Sequence, residues 1–376
     1  MSSAPTVVVG MSGGVDSSVT ALLLKEQGYR VIGLFMKNWE EQNADGVCTS
    51  SVEYEDVVRV CEKIDIPYYS VNFVKEYWDN VFAHFLREFE EGHTPNPDVL
   101  CNREIKFKVL LQKAVELGAD FLATGHYCQL RQLPSGEHQL LKGVDPGKDQ
   151  SYFLYAVGEK ALSKVLFPVG GMQKKDLREF ARKYDIPTAE KKDSTGVCFI
   201  GERNFKQFLS QYIQAQPGHF EDLSGRILGH HDGAAYYTPG QRRGMGIGGA
   251  GEPWFVVGKD MARNVVILAQ GTRHPAMFCD ELTANELTWV SERGAPELPF
   301  ACKSKVRYRQ PDQDCVITKI ENGLAYVTFA VPQRAVTVRQ SIVFYDGDVC
   351  LGGGLIEAAG SSYYVRGLTL PDIVAP

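Results

Sequence analysis

The chain has 376 residues, 44% of them hydrophobic and 23% charged, with a formal net charge of -6. That composition excludes a disordered or low-complexity chain, and its acidic balance excludes a molecule coated in positive potential, so a nucleic-acid partner would have to meet local basic patches. The length predicts two or three domains at roughly 100 to 200 residues each, and no run approaches the ~18 apolar residues of a membrane span or carries the basic start of a secretion signal, so a cytoplasmic protein is expected.

Over the first 125 or so residues, short β-branched runs alternate with helical patterns, the signature of βα units around a parallel sheet. "TVVVG" (6–10) predicts a buried strand, and "SSVTALLLKEQG" (17–28) a helix closed by Gly28. "YRVIGLFMK" predicts the second strand, 51–64 a helix and "PYYSVNF" a third strand. Apolar residues at three-and-four spacing predict an amphipathic helix over 75–92. The turn-rich stretch "TPNPDVLCNR" (94–103) then precedes a helix over 104–118, which feeds the strand "ADFLATGHY".

Beyond residue 130 the pattern changes. "QLRQLPSGEHQLLKG" predicts a hairpin about "PSGE", and 172–186 a charged helix. A small unit rich in Gly and aromatic residues spans 206–281, and from 282 onward short alternating runs predict an all-β barrel or sandwich. The expected organisation is therefore 1–205, 206–281 and 282–376. Within the last part, "KSKVRYRQ" (303–310) reads as a strand with Lys303, Lys305, Arg307 and Arg309 on one side, either a nucleic-acid patch or a solvated strand face.

The first chemical signal is "VVVGMSGGVDSS", a glycine-rich turn between the first strand and the first helix. Such a turn aims backbone N–H groups and the positive end of a helix dipole at one spot, which suits an anion. Gly13 and Gly14 allow close approach, and Ser12, Ser17 and Ser18 offer hydroxyl donors. The turn lacks the lysine of a Walker A loop and the spacing of a dinucleotide fingerprint. Its S-G-G-x-D-S pattern resembles the PP-loop of the N-type ATP pyrophosphatases, which split ATP between its α and β phosphates and activate a substrate oxygen with the AMP half. Asp16 beside pyrophosphate implies Mg²⁺; the plainer reading is a helix cap.

Nine cysteines, an odd number with no C-x-x-C pair, suggest neither a disulfide framework nor a zinc ribbon. Most lie in apolar runs and read as small buried hydrophobes. Cys101 in "PNPDVLCN" and Cys198 in "KKDSTGVCFIG" instead sit among polar residues beside a carboxylate, with Arg103 and Lys106, or Lys191 and Lys192, nearby in sequence to favour a thiolate. An adenylated oxygen needs a nucleophile to displace AMP, and a thiolate or persulfide suits that task.

In this order, "GMSGGVDSS", "PNPDVLCNREIKF", "ATGHY", "GKDQSYFLY", "KKDSTGVCFIG", "TPGQRRG" and "FYDGDVCLGGG" resemble the bacterial tRNA-specific 2-thiouridylases (MnmA/TrmU family) over essentially the whole chain. The resemblance implies an α/β fold with an N-terminal parallel-sheet PP-loop domain of the adenine nucleotide alpha hydrolase type, a small central domain and a C-terminal β-barrel that binds tRNA. It implies ATP-dependent adenylation of C2 of the wobble uridine, then sulfur transfer from a persulfide with release of AMP and pyrophosphate.

Carried over by residue, ATP is held by Gly10, Met11, Ser12, Gly13, Gly14, Val15, Asp16 and Ser17 with Met36 and Gly125, and Asp16 reaches Mg²⁺ through ATP. Cys198 carries the persulfide and Cys101 is the nucleophile, with Asp98 as general acid or base. A transient Cys101–Cys198 disulfide follows, since one cysteine cannot both donate sulfur and resolve the bond. Asn96, Pro97 and Asp98 face the target base, turned out of its stack. His126, Lys148, Asp149, Gln150, Tyr308, Arg309 and Gln340 contact tRNA. The implied partners are the anticodon stem-loops of Lys, Glu and Gln tRNAs and a sulfur-relay protein or cysteine desulfurase. One departure stands out: "VRQS" (338–341) replaces the family's "PGQS", which leaves the loop shape at Gln340 open.

Three other readings stand beside this one. A small-molecule ligase of the same ATP fold explains "SGGVDS" but gives the two cysteines and the β-rich third no task. A non-catalytic, nucleotide-gated tRNA binder has structural cysteines. Within the thiolation reading, Asp98, Cys101 and Cys198 could instead be three ligands of a labile iron–sulfur cluster.

Overall fold

The computed structural model describes residues 4–40, 49–193 and 205–374. Strands β1 (Thr6–Met11), β2 (Arg30–Lys37), β3 (Tyr68–Asn72), β4 (Phe121–Ala123) and β7 (Val165–Leu166) form one parallel sheet in the order β3-β2-β1-β4-β7. The remaining strands of this half, β5 (Cys128–Gln132) and β6 (His138–Lys142), make the hairpin expected about "PSGE". Because helices cover both faces of the parallel sheet, its central strand reads as a continuous apolar run. Val7 and Val9 turn to the face covered by α1 (Val15–Glu26), α2 (Thr49–Lys63) and the Lys174–Lys183 helix. Val8 turns to the face covered by the helices over 74–90 and 97–116. All three valines are 0% exposed, and full burial of a side chain of this kind stabilises by ~1.5–3 kcal/mol.

The 97–116 helix starts earlier than the sequence pattern predicts. Asn96 Oδ1 accepts from the Asp98 N–H at 3.1 Å, and Pro97 fills the first helical position. Asn followed by Pro is a helix start as well as a turn signal, because the missing N–H has no intrahelical acceptor at that position. Cys101 therefore lies inside the helix, not ahead of it. The helix is widened to π geometry over Cys101–Leu110, as is the 74–90 helix over Trp78–Phe82.

Strands β8 (Gly218–Asp222), β9 (Ile227–His231), β10 (Trp254–Asp260) and β11 (Val265–Gln270) form a separate four-stranded sheet, consistent with the short strands expected there. In β9, His230 is exposed and His231 is 4% exposed, so the adjacent histidines point opposite ways.

Strands β12 (Phe278–Trp289), β13 (Phe300–Lys305), β14 (Gln313–Glu321), β15 (Leu324–Arg334), β16 (Ser341–Asp346) and β17 (Val349–Ala359) close into an antiparallel barrel through the β12–β17 pairing. Its sheet continues into the first half of the chain, since β17 pairs with β6 at Val349↔Leu141 and Cys350↔Leu140.

The basic strand expected over 303–310 is not built as a patch. β13 ends at Lys305, and 306–310 turns. Lys303 pairs with Asp314 at 2.8 Å, and Lys305 lies 3.7 Å from Asp149. The Arg307 Nη2 group donates to Pro239 O, Ala335 O and Thr337 Oγ1, which ties the central unit to the barrel. Of the four, Arg309 is the exposed one. Among the described residues no helix is long and apolar enough to cross a membrane.

Candidate active site

The chain order of the parallel sheet reverses between β1 and β4, and doubly wound sheets bind ligands in the crevice at the carboxyl ends of strands beside such a reversal. The glycine-rich turn follows β1 there, and Thr124–Tyr127 follows β4. Gly13 takes φ +71°, and a Cβ on it would meet Glu53 O at 2.6 Å. Gly125 packs on the start of α1, where a Cβ would stand 2.9 Å from Ser17 N and 3.0 Å from Asp16 Cβ. These two glycines are required by close approach.

The serines serve the loop differently from the sequence expectation. Ser17 and Ser18 are buried, and their hydroxyls donate to Gly14 O at 3.1 and 2.8 Å. Ser12 is exposed, and its Oγ accepts from the Gly14 N–H at 3.3 Å. Ser17 and Ser18 thus brace the turn, and Ser17 Oγ also accepts from the Ser12 N–H at 3.2 Å, which leaves the exposed Ser12 side chain at the mouth. Gly14 is the N-cap of α1, without a side-chain cap, so Asp16 is not the cap. Met11 and Val15 are buried, so they offer the crevice only backbone. Gly10 and Met36 lie toward the carboxyl ends of β1 and β2.

Asp16 is held by residues that sequence reasoning missed. Lys174, 9% exposed, donates to Asp16 Oδ1 at 2.7 Å and Oδ2 at 2.9 Å. The Tyr127 hydroxyl donates to Oδ1 at 2.6 Å; burial, reinforced by Asp16, pushes that phenol up, so it stays protonated. Lys174 also pairs with Asp193 at 2.9 Å, as do Lys148 at 2.6 Å and Arg178 at 2.7 Å. Burial would raise the Asp193 carboxyl, but hydrogen bonds from Lys148 and Lys174 hold it well below the usual range. Lys191 donates to Gly13 O at 3.0 Å and to Asp56 at 2.6 Å. The segment that leads to Cys198 is thereby anchored on the phosphate loop, while Cys198 itself lies outside the described residues.

Cys101 is 1% exposed and shares an apolar cluster with Val99, Ile105 and Phe107. The Arg103 Nε donates to Glu104 at 2.8 Å, so its charge is engaged by that carboxylate. Asp98 sits one helical turn before Cys101 and is half-buried. The next residue, Asn102, donates to Phe153 O at 3.1 Å, and the Phe153 ring lies 4.4 Å from that of Tyr308. The barrel turn carrying Tyr308 and Arg309 therefore stands beside the cysteine helix. Burial pushes the Tyr308 phenol up to about 12.

The other expected tRNA contacts are mostly inward. His126 is buried against Phe107 and Phe167, and its Nδ1 lies 2.7 Å from Thr124 Oγ1. Asp149 Oδ1 accepts from the Gly143 and Ser151 N–H groups at 3.0 and 3.1 Å. Gln150 Oε1 accepts from the Tyr127 N–H at 3.0 Å. Gln340 Nε2 donates to Thr94 O at 2.5 Å, which ties the barrel to the loop before Asn96. In the 338–341 turn Arg339, which stands where the family pattern has Gly, takes φ +65°.

The donor set fits ATP with Mg²⁺. Asp16 is a partly exposed carboxylate at the loop mouth, and Mg²⁺ is commonly bound by one or two carboxylates together with substrate phosphates. Lys174, paired with Asp16 and Asp193, places a cation beside that mouth.

Family models match the chain in three consecutive parts: tRNA methyl transferase HUP domain over 5–202, tRNA methyl transferase PRC-barrel domain over 206–270, and aminomethyltransferase beta-barrel domain over 279–356. Similar curated relatives are named tRNA-specific 2-thiouridylase MnmA. The Protochlamydia amoebophila protein is 63% identical over 99% of this chain and 98% of its own. Those of Halalkalibacterium halodurans and Geobacillus thermodenitrificans are 56% and 58% identical, over 93% of this chain and 94% of their own.

Proposed function

The chain belongs to the tRNA-specific 2-thiouridylase family, and on that premise we propose that it converts the wobble uridine of its tRNAs to 2-thiouridine at the expense of ATP. The observation that carries the reading is the Asp16–Lys174–Asp193 network, which joins the phosphate loop to the segment leading to Cys198.

ATP lies across the carboxyl ends of β1, β2 and β4. Its phosphates meet the Ser12 hydroxyl, the N-terminus of α1 and the Lys174 ammonium, and Asp16 would hold Mg²⁺, which would neutralise phosphate charge. The uridine O2 attacks the α-phosphorus and pyrophosphate leaves. The outer sulfur of the Cys198 persulfide attacks C2, and AMP departs with the former O2. The Cys101 thiolate then attacks the inner sulfur, which frees thiouridine and leaves a Cys101–Cys198 disulfide for external reduction. Asp98, one turn from Cys101 and at the helix N-terminus, moves the proton.

Asn96, Pro97 and Asp98 face the extruded base, and the exposed Arg309 beside Tyr308 grips the anticodon stem. Lys148, Asp149, Gln150, His126 and Gln340 support that surface from beneath. The tRNAs are those for Lys, Glu and Gln, the sulfur comes from a relay protein or cysteine desulfurase, and the enzyme works in the cytoplasm.

The test is mass spectrometry of nucleosides from tRNA incubated with ATP, Mg²⁺ and a persulfide donor. Wild type is expected to yield 2-thiouridine, and Cys101→Ser and Cys198→Ser none. Full activity in both variants would sink the mechanism. Iron-dependent activity with no persulfide on Cys198 would favour the cluster.

A further inference from the structure

Arg339 is a non-glycine residue at φ +65°, a conformation in which an L side chain crowds its own backbone. Its side chain does not leave for solvent. It is 21% exposed, and Nε lies 3.1 Å from Oε2 of Glu88, a carboxylate only 8% exposed. Its Nη1 lies 3.5 Å from Glu286 and 3.9 Å from Glu357. Three carboxylates thus converge on one guanidinium. Glu88 also accepts from His93 at 2.8 Å, and His93 lies 3.4 Å from Glu91. Glu88, Glu91 and His93 have the spacing of a metal site, but the Glu88 carboxylate is already met by an arginine from the barrel.

The next residue completes the link. Gln340 Nε2 donates to Thr94 O at 2.5 Å, while the Arg339 N–H donates to Ile356 O at 2.9 Å and the Ile356 N–H to Gln340 O at 2.8 Å, which fixes the 339–340 backbone to β17. Glu88 lies near the end of the 74–90 helix, and Thr94 lies between His93 and the Asn96 cap of the cysteine helix. The barrel turn therefore holds both ends of the short loop that positions Asn96, Pro97 and Asp98.

From this geometry we infer that Arg339 is a positioning residue: through Glu88, with Gln340 on Thr94, it sets the Thr94–Asp98 loop in its catalytic pose and couples the barrel to the reaction centre. The inference rests on the thiolation reading for its kinetic consequence, but the mechanical link does not. Glycine at 339, as in the family pattern, would relax the turn and lose the ion pair.

The experiment compares wild type with Arg339→Gly, Arg339→Lys and Glu88→Gln as full-length proteins. Arg339→Gly relieves the left-handed strain but leaves the buried Glu88 carboxylate without its arginine, bonded to His93, so the protein is expected to fold with a Tm within a few degrees of wild type. Hydrogen exchange of the 92–98 amides, measured without substrate, is expected to speed about tenfold in Arg339→Gly and Glu88→Gln, a loss of protection of about 1.4 kcal/mol. Single-turnover thiolation is expected to slow about tenfold, with KM for ATP and affinity for tRNA unchanged and partial rescue by Arg339→Lys. Unchanged exchange and unchanged turnover would overturn the inference. Lost tRNA affinity with unchanged exchange would also overturn it, and would make Arg339 a direct tRNA contact. If wild type shows no thiolation, the functional reading fails, and the exchange result still decides the link.

Discussion

Lys174 Nζ contacts both carboxylate oxygens of Asp16, at 2.7 and 2.9 Å, across 158 positions of sequence. The phosphate turn has no lysine of its own, and the helix packed beside α1 on the same face of the sheet delivers one. A charge-assisted hydrogen bond to phosphate is worth about 1.5–3 kcal/mol, roughly 10- to 100-fold. Lys174→Ala is therefore expected to raise KM for ATP by about that factor, while tRNA affinity stays constant in a filter-binding assay. An unchanged KM would remove Lys174 from the nucleotide site.

Gly125 is placed by contact with α1, since a Cβ there would press on the Asp16 and Ser17 backbone at 2.9 Å. Gly125→Ala is expected to displace the first turn of α1 and with it the Asp16 carboxylate. The protein should remain folded by circular dichroism and lose ATP binding by at least about tenfold in calorimetry. Retained affinity would show that the turn can yield.

His126 is buried, and that burial, with the nearby Lys106 charge, holds its imidazole well below its ordinary value. Above pH ~6.5 the ring is neutral in both folded and unfolded chains and contributes no pH dependence. Below it the unfolded ring takes up a proton that the folded one refuses. Stability is therefore lost as pH falls from about 6.5 toward the folded pKa, by about 1.4 kcal/mol at pH 5.5. His126→Gln should lack this component, read as the difference in urea midpoints between pH 7.5 and 5.5. Equal acid sensitivity of both proteins would contradict the assignment.

Arg307 donates to three oxygens, and burial lowers its guanidinium from the ordinary value. Arg307→Ala leaves Pro239 O, Ala335 O and Thr337 Oγ1 without that donor. A loss of about 3 kcal/mol is expected, seen as a lower Tm. A loss of tRNA affinity at unchanged Tm would instead place Arg307 on the RNA.

What the sequence made legible followed from periodicity and from one rare motif. The run Val7–Val9 identified a strand buried on both faces, and S-G-G-V-D-S fixed the anion-binding turn after it. Lys174 was not legible, because in "MQKKDLREFARK" it looks like Lys175 and Lys183, and only the fold turns it toward Asp16. Arg307 misled for the opposite reason: alternation along "KSKVRYRQ" suggested a common face, whereas the strand stops at Lys305 and the turn buries the guanidinium. Asn96-Pro97 carried two meanings locally, and the cap hydrogen bond to Asp98 settled which one applied.

The ladder between β6 and β17 has a mechanical corollary. A strand from the nucleotide-binding half is stitched edge to edge into the barrel, so the two cannot swing apart as hinged jaws without breaking backbone hydrogen bonds. On the proposed reading a tRNA meets a pre-set gauge: the span from Arg309 to the Asn96–Asp98 loop is held by the β6–β17 ladder and by the Gln340–Thr94 hydrogen bond, and a substrate is admitted by fitting that span rather than by drawing it closed.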